Sequence, residues 1–308
     1  MTSKRTRTPL RFLFSFLALA VLPVQAEPLR LALTNDDGWR SPGIQALASA
    51  FQAHGFQTTL VAPLNQQSGS SAALNTNKVT VTRQAERTYS AAISPTEGAE
   101  PLVAGMLAID IATALDGMPP DLLVSGINQG ANLGSASQHS GTVGAVIGAL
   151  NPSINGALGG IAVSTDEPKC DAACITRHYA DVAEFTANLL AALPTPLPAG
   201  VGLNINYPPL PKSAIRGVKV VRQGHTFPLG GRAMRLDFRC DACATLADGE
   251  SAEAGMRPAP DASLPEDSGD NAAFADGYIT IVPIEGDYTA DNFARLSRQL
   301  GKAIRKLP

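Results

Sequence analysis

The chain has 308 residues, 44% of them hydrophobic, with 24 Lys and Arg against 27 Asp and Glu. Residues 1–26 hold four of those bases (Lys4, Arg5, Arg7 and Arg11) and none of the acids, so the remainder carries a formal net charge of −7. That acidity argues against a nucleic-acid polymer as partner, since phosphate-backbone binding needs clustered bases; a small anionic substrate stays open, because a local metal ion inverts the sign of a site.

The basic head is followed by an apolar run over 12–24 and then Gln25-Ala26, the pattern of a secretory signal peptide cleaved after Ala26. The run is short for a bilayer span, and no later run is long enough; a retained N-terminal anchor is the alternative. The expected product is an exported, periplasmic or secreted protein with no membrane segment after cleavage. Its roughly 280 residues can bury a full α/β core. Its expected organisation is a Rossmann-like core over 27–199 and an extension over 200–308 with β-hairpins and a closing helix.

The first element is a strand, the apolar run Leu29, Leu31, Ala32, Leu33 and Thr34, stopped by the turn residues Asn35, Asp36, Asp37 and Gly38. Ser41-Pro42-Gly43 reads as a helix N-cap with proline at the first helical position. Ile44, Leu47, Ala48 and Phe51 then form one apolar helix face. Two adjacent carboxylates thus sit at the carboxyl end of a buried strand, where ligands bind in open α/β sheets. As hard oxygen donors they suit Mg²⁺, Mn²⁺ or Ca²⁺ rather than zinc, although Asn-Asp-Asp-Gly is also ordinary turn chemistry.

A second strand is expected over 57–62, closed by Pro63, then a polar loop with Ser68-Gly69-Ser70-Ser71. Short strands fit around Val79, Val81 and 89–93, and a helix over 106–115 ends at Gly117 and the following prolines. Residues 121–126 form another buried strand, followed by Ile127-Asn128-Gln129-Gly130-Ala131-Asn132-Leu133-Gly134. Its glycine spacing matches neither the dinucleotide fingerprint nor the P-loop. Ser140-Gly141-Thr142-Val143-Gly144 opens a helix whose early N–H groups suit phosphate. A strand over 160–165, a helix over 177–193, and strands over 201–205, 218–221, 233–238 and 278–283 follow. Residues 244–270, rich in Ala, Gly, Pro, Ser and acids, read as an irregular excursion, and a closing helix is expected over 290–306. Strands alternating with helices indicate a mainly parallel sheet covered on both faces.

The four cysteines form two close pairs, Cys170/Cys174 and Cys240/Cys243. In an exported chain these read as disulfides; a zinc site or a thioredoxin-like Cys-x-x-Cys are alternatives.

In this α/β arrangement the loops at 35–38, 68–69 and 125–128 share one sheet edge. Two carboxylates, a hydroxyl and a carboxamide make an octahedral oxygen site with room for water and phosphate, which points to metal-assisted phosphomonoester hydrolysis. These motifs resemble the survival protein E (SurE) nucleotidase/phosphatase family. The resemblance rests on L-x-L-T-N-D-D-G-x-x-x-P-G-I over 31–44, V-A-P-x-x-x-x-S-G over 61–69 and P-D-L-x-V-S-G-I-N-x-G-x-N-L-G over 120–134. Shorter matches at 140–143, 161–164 and 277–283 extend it. It implies a phosphatase acting on nucleoside monophosphates with Mn²⁺ or Mg²⁺ held by Asp36, Asp37, Ser68 and Asn128. Asn35, Gly69, Asn132, Ser140, Gly141 and Thr142 would line the phosphate pocket. It also implies a homodimer or homotetramer that exchanges C-terminal elements, with the 200–308 extension involved.

Two segments depart from the family pattern. Leu64-Asn65-Gln66-Gln67 stands where the family has Asp-Arg-x-x, and the family's Gly-Thr-Pro-x-Asp-Cys segment is not recognisable, residues 103–109 occupying that region. Read as loops flanking the phosphate grip, they imply a broad phosphomonoesterase. A non-catalytic metal- or nucleotide-binding protein on the same fold is the alternative.

Overall fold

Leu31 and Leu33 point to one face of their strand and Ala32 to the other, and all three are buried. Period-two alternation with both sets apolar requires cover on both sides. The computed structural model describes residues 27–154, 158–193, 197–198, 200–229, 232–260 and 269–287. The leader and the closing helix expected over 290–306 lie outside them.

The elements are β1 (Arg30–Thr34), α1 (Pro42–Ala53), β2 (Gln57–Pro63), β3 (Thr80–Ala85), β4 (Thr88–Ser94), β5 (Glu97–Gly98), α2 (Pro101–Asp116), β6 (Leu122–Gln129), α3 (Gly141–Leu150), β7 (Gly159–Thr165), α4 (Ala172–Ala192), β8 (Val201–Tyr207), β9 (Val218–Val220), β10 (Phe227–Leu229), β11 (Arg232–Arg239), β12 (Gly255–Pro260), α5 (Asp270–Ala275) and β13 (Ile279–Glu285). The main sheet runs β3-β4-β2-β1-β6-β7-β8-β13-β9, with β5 on β4. Its centre, from β4 through β8, is parallel; β13 returns antiparallel to β8, and β3 antiparallel to β4. This is the expected α/β, Rossmann-like architecture.

On one face α1 and α4 bring Ile44, Leu47, Phe51, Val182 and Leu190 against Leu31, Leu33, Val124, Ile161 and Ile205. On the other, α2 sets Val103, Ala108 and Ile109 against Ala32, Val61 and Leu123, and α3 sets Val146 against Ala162. Each Val, Leu, Ile or Phe among them contributes about 1.5–3 kcal/mol by leaving water.

The helix starts show local chemistry at work. Pro42 and Pro101 occupy first-turn positions, where a missing N–H costs nothing. Proline therefore starts α2 at Pro101, ahead of the expected start at 106, and Gly117 ends it with φ 71°. Ser41 flanks α1 without capping it, because its hydroxyl accepts a hydrogen bond from Asn35 instead.

Two elements differ from expectation. Residues 255–260 form β12, antiparallel to β11, inside the stretch read as irregular. The pattern of β11 offers an edge, and prolines 258 and 260 are tolerated in an outer strand because its unpaired side needs no donors. In addition, β6 runs on past 126 to Gln129, its pairing with β7 shifting register between Ser125 and Asn128. A carboxylate ties the extension to the core: Asp270, fully buried, accepts the N–H groups of Gly224 at 2.7 Å and Gly134 at 3.1 Å.

Candidate metal centre

The loop after β1 closes on itself and on α1. Asn35 Nδ2 donates to the Gly38 carbonyl at 3.0 Å and to Ser41 Oγ at 2.7 Å, while its buried Oδ1 has no hydrogen-bond partner. Asp36 is 2% exposed. Its carboxylate accepts the Thr142 hydroxyl and the N–H groups of Gly141 and Thr142, so the N-terminus of α3 is aimed at it. Burial pushes its carboxyl pKa up, and these donors oppose the rise. Gly141 is needed here, since a Cβ would stand 2.8 Å from Ser70 Oγ and 2.9 Å from Asp36 Cβ.

Asp37 is half-buried. Its Oδ2 accepts the Gln129 N–H at 3.0 Å, and the Gln66 side chain also bonds it. Burial, then the neighbouring Asp36 charge, pushes its pKa up to about 6. The Asp36 carbonyl accepts the Gln67 N–H at 2.7 Å. Through Gln67 and Gln129, the first loop therefore touches both of the others.

In the second loop Ser68 and Gly69 are exposed. Two residues on, Ser70 Oγ is buried and unpartnered beside Gly141. The segment that departs from the family pattern is well anchored: Asn65 donates to the Thr96 carbonyl at 2.7 Å and accepts the Gly98 N–H at 2.8 Å. In the third loop Gly126 has φ 134°, and a Cβ there would meet the Val163 carbonyl oxygen at 2.3 Å. Asn128 Nδ2 donates to the Gly130 carbonyl at 2.7 Å, which fixes the orientation of its carboxamide. Asn132 is a hub of the strand ends. Its Nδ2 donates to Ser164 Oγ at 2.8 Å, its N–H to Asn206 Oδ1 at 2.7 Å, and its carbonyl accepts from Asn204 and Asn206. Ser140 Oγ caps its own helix by accepting the Val143 N–H at 3.1 Å.

The structure thus brings Asp36, Asp37, Gly141 and Thr142 together, with Asn128 adjacent through Gln129. It turns Asn132 toward Ser164 and keeps Ser68 and Gly69 on an exposed turn. A cavity of about 980 Å³ opens on another side of α3, lined by Ser71, Gln138, Gly144, His225 and Val282 and by neither carboxylate. The donor chemistry, not cavity size, marks the centre.

The residues suit a hard divalent cation. Among the described residues neither Asp36 nor Asp37 is ion-paired, and both pKa values are raised by burial, that of Asp37 also by its neighbour. A divalent cation held by both would relieve that repulsion. No group of three or more His, Cys, Asp or Glu among the described residues is placed to hold a metal.

Sequence reasoning missed Gln66 and Gln129, which hold Asp37, and Glu167, whose charge also acts on it. An acid two residues beyond a parallel strand was the available signal for Glu167. One expectation is corrected. Residues 103–109 are not a loop but part of α2, with Val103, Ala104, Ala108 and Ile109 buried in the core. An apolar helical segment gains more by facing the sheet than by facing a ligand.

The cysteines are bonded as Cys170–Cys174, across the start of α4, and Cys240–Cys243, beyond β11. No helix among the described residues is long and apolar enough to cross a membrane.

The family model for survival protein SurE matches residues 31–228. The 5'/3'-nucleotidase SurE of Yersinia enterocolitica is 34% identical over 273 residues, 85% of this chain and 93% of that protein. The 5'-nucleotidase SurE of Symbiobacterium thermophilum is 35% identical over 83% of this chain and 92% of its own length. The crystal structure of the SurE protein from Aquifex aeolicus superposes with a TM-score of 0.67 at 25% identity, covering 89% of this chain and all of that one. The match spans the three loops that build the carboxylate centre, and the chain belongs to the survival protein SurE family.

Proposed function

We propose that this protein is a divalent-metal-dependent phosphomonoester hydrolase acting on nucleoside 5′- and 3′-monophosphates and on simpler phosphate monoesters. The observation that carries this reading is the pair Asp36 and Asp37: adjacent, without a cationic side-chain partner among the described residues, and met at the carboxyl edge of a parallel sheet by the start of a helix. The names of the SurE relatives support it.

Asp36 and Asp37, with Ser68 and Asn128, would hold Mn²⁺ or Mg²⁺. When bound, such an ion supplies charge stabilisation for the transferring phosphoryl group and a route to an activated water. The chain's own groups do the positioning. Thr142 and the first N–H groups of α3 fix the Asp36 carboxylate, and the Gln129 N–H and Gln66 fix Asp37. By the family resemblance Asn35, Gly69, Asn132, Ser140 and Gly141 would line the phosphate side.

Discrimination among nucleotides depends on groups beyond the phosphate. Residues 64–67, whose Gln66 side chain bonds Asp37, support a broad substrate range. The test compares kcat/KM for p-nitrophenyl phosphate with that for several 5′- and 3′-nucleotides, with and without Mn²⁺ or Mg²⁺. Similar values are expected. A preference above about a hundredfold for one nucleotide, near 3 kcal/mol, overturns the broad range, and no turnover with any metal overturns the enzyme.

The same reading includes export and self-association. The composition of the leader and the two cysteine pairs support an oxidising compartment. Phe238 and Met256, exposed and directly opposite on β11 and β12, support a role for the extension in a homodimer or homotetramer. N-terminal sequencing of secreted material and light scattering test these two points.

A further inference from the structure

Thr165, at the end of β7, still pairs with Gln129, the residue whose N–H holds Asp37, and its carbonyl accepts the Gly130 N–H at 2.7 Å. The chain beyond it therefore leaves the sheet on the edge that carries the carboxylate pair. Asp166 Oδ1 accepts the Ala131 N–H at 2.8 Å and ties this segment to the Asn128 loop. Glu167 Oε1 accepts the Tyr179 hydroxyl at 3.0 Å. Tyr179 is 3% exposed, packed in the core that α4 shares with α1, so its hydroxyl is a rigid donor. Past Glu167, Asp171 caps α4 by accepting the Cys174 N–H at 2.8 Å, and the Cys170–Cys174 bridge spans that cap. The segment carrying Glu167 is thus fixed on both sides. Glu167 therefore stands two residues beyond Thr165, the strand position that faces Gln129, on the carboxylate edge of the sheet.

We propose that Glu167, aimed by the Tyr179 hydroxyl, is a positioning residue for the divalent cation, adding a third negative charge to the Asp36–Asp37 pair from outside the ligand set. The inference rests on the metal-dependent reading above. Glu167 does not complete a three-acid cluster with the pair, so it acts through its field, which at partly buried positions is only weakly screened. Groups hydrogen-bonded to metal ligands change metal affinity about 10–100-fold, and Glu167, which bonds Tyr179 and acts only through its charge, belongs at the low end of that range. A purely structural Glu167 would serve only as the acceptor for Tyr179, and that role can be separated from charge. A glutamine keeps the acceptor oxygen and loses the charge.

The experiment measures Mn²⁺ affinity by calorimetric titration without substrate, at fixed ionic strength, for wild type, E167Q, E167D and Y179F, with the Tm of each metal-free protein. E167Q is expected to raise the Kd about tenfold with an unchanged Tm. Y179F, which keeps the charge but frees its orientation, is expected to raise it less, and E167D to stay nearer wild type than E167Q. A Kd for E167Q within twofold of wild type overturns the proposal, as does an E167D loss equal to that of E167Q. Wild type that neither binds Mn²⁺ nor hydrolyses phosphate esters overturns the metal-dependent reading, and this inference with it. Wild type that binds Mn²⁺ while E167Q matches it removes Glu167 alone.

Discussion

The parallel core around β1 and β6 and the three-stranded sheet β10-β11-β12 obey the same hydrogen-bonding rules and differ in what covers them. In the core, Leu31, Leu33, Leu122, Leu123 and Val124 are each at most 1% exposed. In the outer sheet, Phe238 is 79% exposed and its cross-strand neighbour Met256 is 52% exposed. A strand packed on both faces cannot shift without disturbing side chains at crystal-like density. The loops leaving it inherit that rigidity, which a metal centre needs. In the outer sheet β10 and β12 pair antiparallel with β11, and Phe238 and Met256 have no such cover.

The largest expected effect breaks the core's chemistry while sparing its fold. Asp37→Asn should lower kcat/KM for p-nitrophenyl phosphate at least about 100-fold, because a neutral amide is a poor ligand for a hard cation. Circular dichroism should show the fold intact. Asp36→Asn should lose as much activity and also cost about 1–3 kcal/mol of stability. Its amide would face donors from Thr142 and Gly141 where the carboxylate accepted them. Equal stability of the two variants in denaturant melts would contradict the different roles assigned to them.

A pair of glycines sharpens the comparison. Gly126 and Gly249 both have positive φ, but a Cβ on Gly126 meets the Val163 carbonyl oxygen at 2.3 Å, whereas Gly249 has nothing within 4 Å. Gly126→Ala should cost about 3 kcal/mol or more, and Gly249→Ala only the left-handed penalty of about 1 kcal/mol. Urea unfolding of both variants decides the matter.

The pH dependence follows from Asp37, whose pKa of about 6 in the folded protein lies above the ordinary 3.8. The neutral form is the one folding favours, so this group's contribution is complete below pH 3.8 and is lost as the pH rises through 6. In chelator-treated protein, Asp37→Asn should therefore gain Tm relative to wild type between pH 4 and 6, and the gap should be constant above. Adding Mn²⁺ should reverse the ranking, since the cation binds the ionised form. A gap independent of pH in thermal melts would remove the burial argument.

The smallest effects belong to the outer sheet. Replacing Cys240 and Cys243 by alanine should cost no more than about 2 kcal/mol, because the bridge closes so short a loop. Phe238→Ser should change monomer stability by less than about 0.5 kcal/mol. Hydrogen exchange should confine both changes to residues near β10, β11 and β12. Loss of protection in β1 or β6 would mean that the two regions are coupled.

What the residue order determines by itself is local. Apolar runs closed by turn residues place β1, β2, β6 and β7. Ser140 before Gly-Thr-Val announces α3, and strand–helix alternation puts the ends of β1, β2 and β6 on one edge, which brought the Asp36–Asp37 loop and the 125–128 loop into one reading. Only tertiary structure decided what each side chain does there. The start of α3 meets Asp36, 105 positions earlier in the chain, and Gln129 meets Asp37 at a separation of 92. Asn132 goes to Ser164 and Asn206, and Glu167 goes to Tyr179. Residues 103–109 look like a missing loop motif in one dimension and are core in three. Strand order, register and the seating of α3 set these partnerships. Such terms depend on the simultaneous packing of elements far apart in sequence, and no local window of residues contains them.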